Sequence, residues 1–376
     1  MSRGIPVPAA VVAAAVLLCA SCSREAPRAQ THASPQADDT VTDPGRRVLV
    51  VSNTNDPESG KIASVYSDRR QVPPDHRLSL PLPIKEEVSA KEYRRLLEAP
   101  IRAYLKSLPG AAEVDFMLLI RGVPLRVREG GYSVDALLAA MDLDLSPITR
   151  KDPESFQRSS NPYFGTNRPF RRSDYWFFLF TRLDGYTAED ALRLIDSSTQ
   201  ARPKRGLFLL DLDPRREKPG YAGINDSMRR AARLLRAKGF TVRLDESDAF
   251  VGADRGLAGY YSWGSNDGGY ERDLYRSLDF LPGAIAETAV SSSARTFRPT
   301  DHGQSLIADL IHSGVTGVKG YVSEPLVSAL APADLLFDRY TSGYTLAESF
   351  YMAIPFLRWK DVVIGDPLAA PYAPAH

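Results

Sequence analysis

LAGYYSWGSNDGG, residues 257–269, is the stretch on which the fold turns. Its first half, 257–262, is a short run of aliphatic, small and aromatic residues with no charge and no proline, which predicts a buried strand. Its second half changes abruptly to Trp263-Gly264-Ser265-Asn266-Asp267-Gly268-Gly269. Glycine there permits positive φ and close approach of backbone to a ligand, and the tryptophan beside it is costly to expose unless it packs or stacks. A tight turn around a buried Trp263 would produce the same pattern.

Outward from this stretch the same alternation repeats. Strands are predicted over 175–181, 206–212, 241–244, 283–288, 316–320 and 362–364, with helices over 187–197, 224–238, 304–312, 331–340 and 345–356. Upstream, strands over 47–52, 77–80 and 114–120 alternate with helices over 57–70, 89–107 and 133–141. Strands that alternate with helices build a parallel sheet covered on both faces. The expected fold is therefore α/β, as two consecutive parallel-sheet subdomains at 47–144 and 175–372. Residues 145–174 interrupt the alternation with four prolines and an aromatic Asn161-Pro162-Tyr163-Phe164-Gly165 motif, and read as a crossover loop or lid.

In open α/β sheets, ligands sit outside the carboxyl ends of the strands. The residues that follow the predicted strands are Asn53, Asn55 and Asp56; Arg121 and Gly122; Thr181 to Gly185; Asp211 and Asp213; the 262–269 loop; Ser291 to Ser293; and Ser323 with Glu324. Strand-to-helix loops are polar in any case, and Asp or Asn there often only caps a helix. Trp263, Ser265, Asn266, Asp267, Ser291, Arg182, Asp184 and Glu324 form the expected ligand-binding set, with 262–269 beside 291–293 at its centre.

The two cysteines, Cys19 and Cys22, stand at the end of an N-terminal segment in which Arg3 precedes the uncharged stretch 4–23 and its apolar core, 9–20, of Ala, Val and Leu with one Cys. That core is short for a membrane span and ends in small residues, which predicts an export signal over 1–22. Ala20-Ser21-Cys22 is similar to a bacterial lipoprotein processing site, with Cys22 as the lipidated residue; an ordinary cleaved signal is the alternative. Residues 23–46 are rich in Ala, Pro, Thr, Ser, Gln and Asp, which predicts a disordered tether. The expected location is the cell envelope, on a bacterial membrane through a lipid anchor. No thiol follows residue 22. A cysteine nucleophile, a thiolate metal site and an intrachain disulfide are thus excluded from the body.

Charge is balanced, with 47 basic and 46 acidic residues, so nucleic acid is not an expected partner. There is no G-x-S-x-G, P-loop or H-E-x-x-H motif. Of the five histidines, only His302 follows the serine cluster closely enough to act as a base for Ser291, with Asp267 as a further catalytic candidate. No cofactor and no metal are expected. Asp184, Asp211, Asp213, Asp267 and Glu324 would hold Ca²⁺ or Mg²⁺ only if they converged in space.

The stretches VLVVSNTNDPES, IASVYSDRRQVP, LLIRGVPLRV, SVDALLA, NPYF, TRLDG, YYSWGSNDG, PGAIAETAVSS, QSLIADLIHSGVTGVKGYVSEP, GYTLAESF and VVIGDPL span nearly the whole body. Through them the chain resembles an uncharacterised family of exported bacterial proteins found in genomes that carry exosortase, a protein-sorting transpeptidase. The back half is similar in layout to the caspase and gingipain-like peptidases, including Leu346-Ala347-Glu348 and Gly365-Asp366-Pro367-Leu368. That second resemblance implies a His-Gly near Trp263-Gly264 or Ser265 and a Cys near Ser291–Ser293, and neither is present. The expectation is a peptidase-like fold without its dyad: an accessory or binding protein for exported polypeptide or envelope polymer, linked to exosortase-dependent sorting. The competing expectation is a hydrolase using Ser, Asp or a metal at the same edge.

Overall fold

The structure, a computed structural model, describes residues 43–374 except 146–147, 150, 153, 203–205 and 254–255. The export signal, Cys22, His32, His376 and the tether up to residue 42 lie outside the described residues. Among the described residues, no helix is long and apolar enough to cross a membrane.

Ten strands form one sheet: β1 (Val48–Asn53), β2 (Arg77–Leu80), β3 (Phe116–Ile120), β4 (Leu179–Leu183), β5 (Leu207–Asp211), β6 (Thr241–Asp245), β7 (Leu257–Ser262), β8 (Phe280–Thr288), β9 (Gly317–Tyr321) and β10 (Asp361–Ile364). Their order is β2-β1-β3-β4-β10-β9-β8-β7-β5-β6. The α/β fold expected from the alternation is what the chain adopts, with a large, mainly parallel sheet. The last strand, β10, is inserted between the two groups of strands and runs antiparallel to β9. It therefore joins both strand groups into one continuous sheet.

The central strands are buried on both faces, which explains their unbroken apolar runs. Val48 and Val50 face one core; Leu49 and Val51 face a second on the other side, with Met117, Leu119 and Phe180. Helices close both faces, and their starts are written in capping residues. Asp56 caps Pro57–Arg70, while Thr187 and Thr345 form capping boxes with Asp190 and Glu348. The helix expected over 89–107 is present, capped by Ser89, with a π-type turn at Arg94–Glu98.

The strand expected over 175–181 is shifted: β4 begins at Leu179. Tyr175 closes a helical turn, Arg172–Tyr175, and Trp176 follows in the left-handed region with φ 61°. The aromatic run has high strand propensity, but Tyr175 and Phe177 pack instead with Tyr163 and Phe170 in an aromatic cluster, Phe170 and Tyr175 stacking at 5.5 Å. The same cluster pins the 145–174 stretch. Asn161 fastens it further, its Nδ2 donating to the carbonyls of Tyr351 and Ile354 at 2.8 and 2.9 Å.

The loops after both strand groups meet at one edge. Glu86, beyond β2, accepts from the Phe297 amide at 2.7 Å, and Ser323, beyond β9, donates to the Gly131 carbonyl at 2.7 Å. The carboxyl edge is thus a single rim contributed by both halves of the chain.

Candidate functional site

At the C-terminal part of the rim, the 262–269 and 289–293 loops lie side by side, because Ser262 and Thr288 are in register on parallel neighbours. Their polar groups are committed to each other. Asn266 Nδ2 donates to the Ala289 carbonyl at 2.7 Å, and Gln304 bridges the pair: its Nε2 donates to Asn266 Oδ1 at 3.0 Å, and its Oε1 accepts from Ser292 Oγ at 2.7 Å. Ser265 is doubly linked to Ser305, accepting from its amide at 2.9 Å and donating its own amide to Ser305 Oγ at 3.1 Å. Gly264 sits at φ 49°, and a Cβ there would meet Val290 at 2.7 Å.

This changes what several expected ligand residues do. Trp263 is 2% exposed and donates Nε1 to Asn225 Oδ1 at 2.7 Å, so it offers no open stacking face. The tight turn around a buried tryptophan is the arrangement present, because the indole packs edge-to-face with Tyr221 and its only polar atom has an internal acceptor. Asp267 is buried and pairs with Arg215 at 2.8 Å while accepting from the Gly269 amide at 2.6 Å. Burial raises its carboxyl above the ordinary value. Arg215 also grips Asp213 at 2.7 Å. There, burial opposes ionisation, but the Arg215 bonds and the Gly268 amide hold the Asp213 carboxyl below its ordinary value.

Arg182, expected in a loop, lies inside β4 because the strand is shifted, and it is fully buried. Its Nε donates to Asp135 at 2.8 Å, and its other nitrogens donate to the Val123 and Pro124 carbonyls at 2.9 and 2.6 Å. It braces the loop after β3 and presents nothing to a ligand. Ser291 is half-buried and His302 exposed, and among the described residues no hydrogen bond joins them. Glu324 is exposed on the loop after β9. The five carboxylates do not converge: among the described residues, no group of three His, Cys, Asp or Glu has metal-holding geometry.

The open part of the rim lies instead over β1, β3 and β4. A cleft of about 110 Å³ is lined by Asp56, Glu86, Arg121, Asp184, Phe297 and Arg298, among others. Arg121 stands immediately after β3 and Asp184 after β4. Arg121 Nη1 donates to the Gly185 carbonyl at 2.6 Å and lies 3.5 Å from Asp184 Oδ1. Asp184 accepts from the Gly185 amide at 2.9 Å. Its burial pushes the carboxyl up to about 6, against the pull of Arg182 and Arg121. Gly122 allows the close approach of Asp56: at φ 90°, a Cβ would meet Asp56 Oδ2 at 2.5 Å. Glu86 ties the floor to the far loop through Thr296 and Phe297. Arg298 is exposed, and Ile84 on the lip is 61% exposed. Asp184 belongs to the expected ligand set, but that set is centred on the 262–269 and 291–293 loops and not on this cleft. Glu86, Phe297 and Arg298 carry no sequence signal of their own, since their meeting depends on the join between the two strand groups.

Beneath the rim lies a buried charge cluster that periodicity does not announce. Glu287 of β8 and Lys319 of β9 are in register and fully buried, with Lys319 Nζ 3.4 Å from Glu287 and 3.3 Å from Asp361. Lys319 also donates to the Tyr321 hydroxyl. Burial pushes the Glu287 carboxyl up to about 8, against the pull of Lys319. Asp211 of β5 is a second buried acid, pushed up to about 7, with Oδ2 accepting from the Val251 amide at 3.1 Å.

No family model matches the chain, and no curated protein sequence matches it either. Among solved structures, the chain is similar to the complex of Porphyromonas gingivalis RgpB pro- and mature domains. There the identity is 12%, the match covers 86% of this chain and 79% of that one, and the TM-score is 0.48. It is also similar to a structure titled "Structure of Protease", at 12% identity over 88% of this chain and 79% of that one, with a TM-score of 0.46.

Proposed function

We propose that the chain is an exported, lipid-anchored accessory protein that holds exported polypeptide or envelope polymer in the Arg121–Asp184 cleft without cleaving it. The observation that carries this is the cleft's composition. Opposite charges, Asp56, Glu86 and Asp184 against Lys85, Arg121 and Arg298, line one small opening at the carboxyl edge, with an apolar lip at Ile84. Such a surface suits a chain that offers both donors and acceptors beside apolar groups, as a peptide does. The link to exosortase-dependent sorting rests on the sequence resemblance alone. The hydrolase reading lacks a bonded nucleophile and base in this arrangement, and Ser291→Ala is its direct test.

The experiment is capture from envelope fractions by the intact protein, Arg121→Ala and Asp184→Asn. Each variant is expected to weaken capture by about 1–3 kcal/mol with little change in melting temperature. A cationic group on the ligand meets a charged Asp184 only above its raised pKa, so capture is expected to strengthen as pH rises through about 6, and Asp184→Asn is expected to abolish that dependence. Unchanged capture by both variants rejects the cleft.

A further inference from the structure

We propose that the opposite edge of the sheet, around Trp176, docks on the anionic surface of a phospholipid bilayer. Trp176 is 66% exposed, more than any other large apolar side chain among the described residues. Its backbone is held in the left-handed region, with its amide donating to the Arg172 carbonyl at 2.7 Å. A bulky non-glycine residue kept there, with its ring in solvent, is an arrangement that packing alone does not call for.

Trp176 borders a groove of about 360 Å³. Leu105, Met141 and Phe178 contribute apolar wall, and Arg102, Lys106 and Arg172 contribute positive charge against one lining carboxylate, Asp142. Asp142 bonds both Arg102 and Arg172, at 2.7 and 2.8 Å, and Glu98 bonds Arg102 from the same helix at 3.1 Å. Lys106 is exposed and makes no ion pair among the described residues. An amphipathic indole beside one unpaired ammonium, Lys106, and a shallow apolar wall is the chemistry of a membrane-interface contact.

Position selects the bilayer over other occupants. Val48, Phe116 and Leu179 are in register, so the chain enters β1 at the same edge from which Trp176 leads into β4. Arg46, just before β1, bonds Glu113 at 2.7 Å, two residues from Ala111 in the groove wall. The segment 23–42, read from the sequence as a tether, spans at most about 70 Å between a lipidated Cys22 and this edge. The anchor then holds the chain at the bilayer, and the Trp176 face orients the body against it. This geometry rests on the lipid-anchor reading, but the surface chemistry does not.

The test uses the body without its anchor, Ser34–His376, which is compact by itself and contains all the described cores. Flotation with phosphatidylglycerol–phosphatidylcholine vesicles is compared with phosphatidylcholine vesicles alone. Binding is expected to the anionic vesicles only, to weaken at high salt, and to fall at least about tenfold in Trp176→Ala and in Lys106→Glu. Both variants are expected to retain the native melting temperature and full envelope capture through the Arg121–Asp184 cleft, which separates this face from the proposed function. Absence of vesicle binding, or binding by both variants equal to that of the unaltered body, overturns the proposal. A concentration-dependent dimer abolished by Trp176→Ala also overturns it and assigns the face to self-association.

Discussion

Lys319 shows how a single residue acquires a role from its neighbours on adjacent strands. A buried ammonium is tolerable only with partners, and Glu287 and Asp361 supply two carboxylates. Burial raises both carboxyls, Glu287 to about 8, against the pull of Lys319. An acid whose folded pKa is raised binds its proton more tightly in the folded state. Its stabilising contribution is complete below the unfolded value and is lost as pH rises through the folded one. Stability is therefore expected to fall between about pH 4.5 and about 8 through Glu287. Glu287→Gln is expected to flatten that fall and to raise the melting temperature at the alkaline end, read by thermal unfolding across pH. Lys319→Met leaves two buried acids without their cation and is expected to cost about 3–5 kcal/mol. Equal pH profiles for wild type and Glu287→Gln would show that the cluster is not what titrates.

At the scale of elements, the sequence was most legible where one segment carries its own signal. Pro57–Arg70, Arg77–Leu80 and Leu257–Ser262 are bounded as the periodicity and caps predict. It was least legible where tertiary packing outweighs propensity, as at Tyr175 and Phe177, whose strand-like letters lie in a turn. The candidate site divides the same way. The neighbourhood of the 262–269 and 291–293 loops follows from consecutive parallel strands, and Asp184 was found because it follows a strand. The roles of Trp263, Asp267 and Arg182 were not legible, since Asn225, Arg215 and Asp135 come from distant segments. The rim these residues build is a closed scaffold, and Gly264 is one of its tight points. Gly264→Ala adds a Cβ 2.7 Å from Val290 at positive φ, so it is expected to destabilise by about 1–3 kcal/mol, seen as a lower unfolding midpoint in urea with the transition slope unchanged. If the loop instead shaped an open ligand site, the same change would disturb capture while leaving the midpoint in place.

For the whole molecule, the placement of cysteine makes the anchor testable without any assay of function. Cys19 and Cys22 both precede the tether, and no other cysteine follows, so the mature chain carries at most one thiol if processing occurs near Ala20. Lipidation of Cys22 converts that thiol into a thioether, and the mature protein then has none. Cleavage as an ordinary signal just before Ser21 leaves Cys22 as a free thiol in a polar sequence, to be titrated with thiol reagents. We expect membrane-extracted protein to show no titratable thiol under denaturing conditions, an intact mass that begins at Cys22 with added acyl chains, and firm partition into detergent. One thiol per chain with no lipid mass would remove the anchor. The vesicle contact at Trp176 would then have to hold the body at the membrane alone, a weaker and salt-sensitive attachment that flotation of the mature protein would reveal.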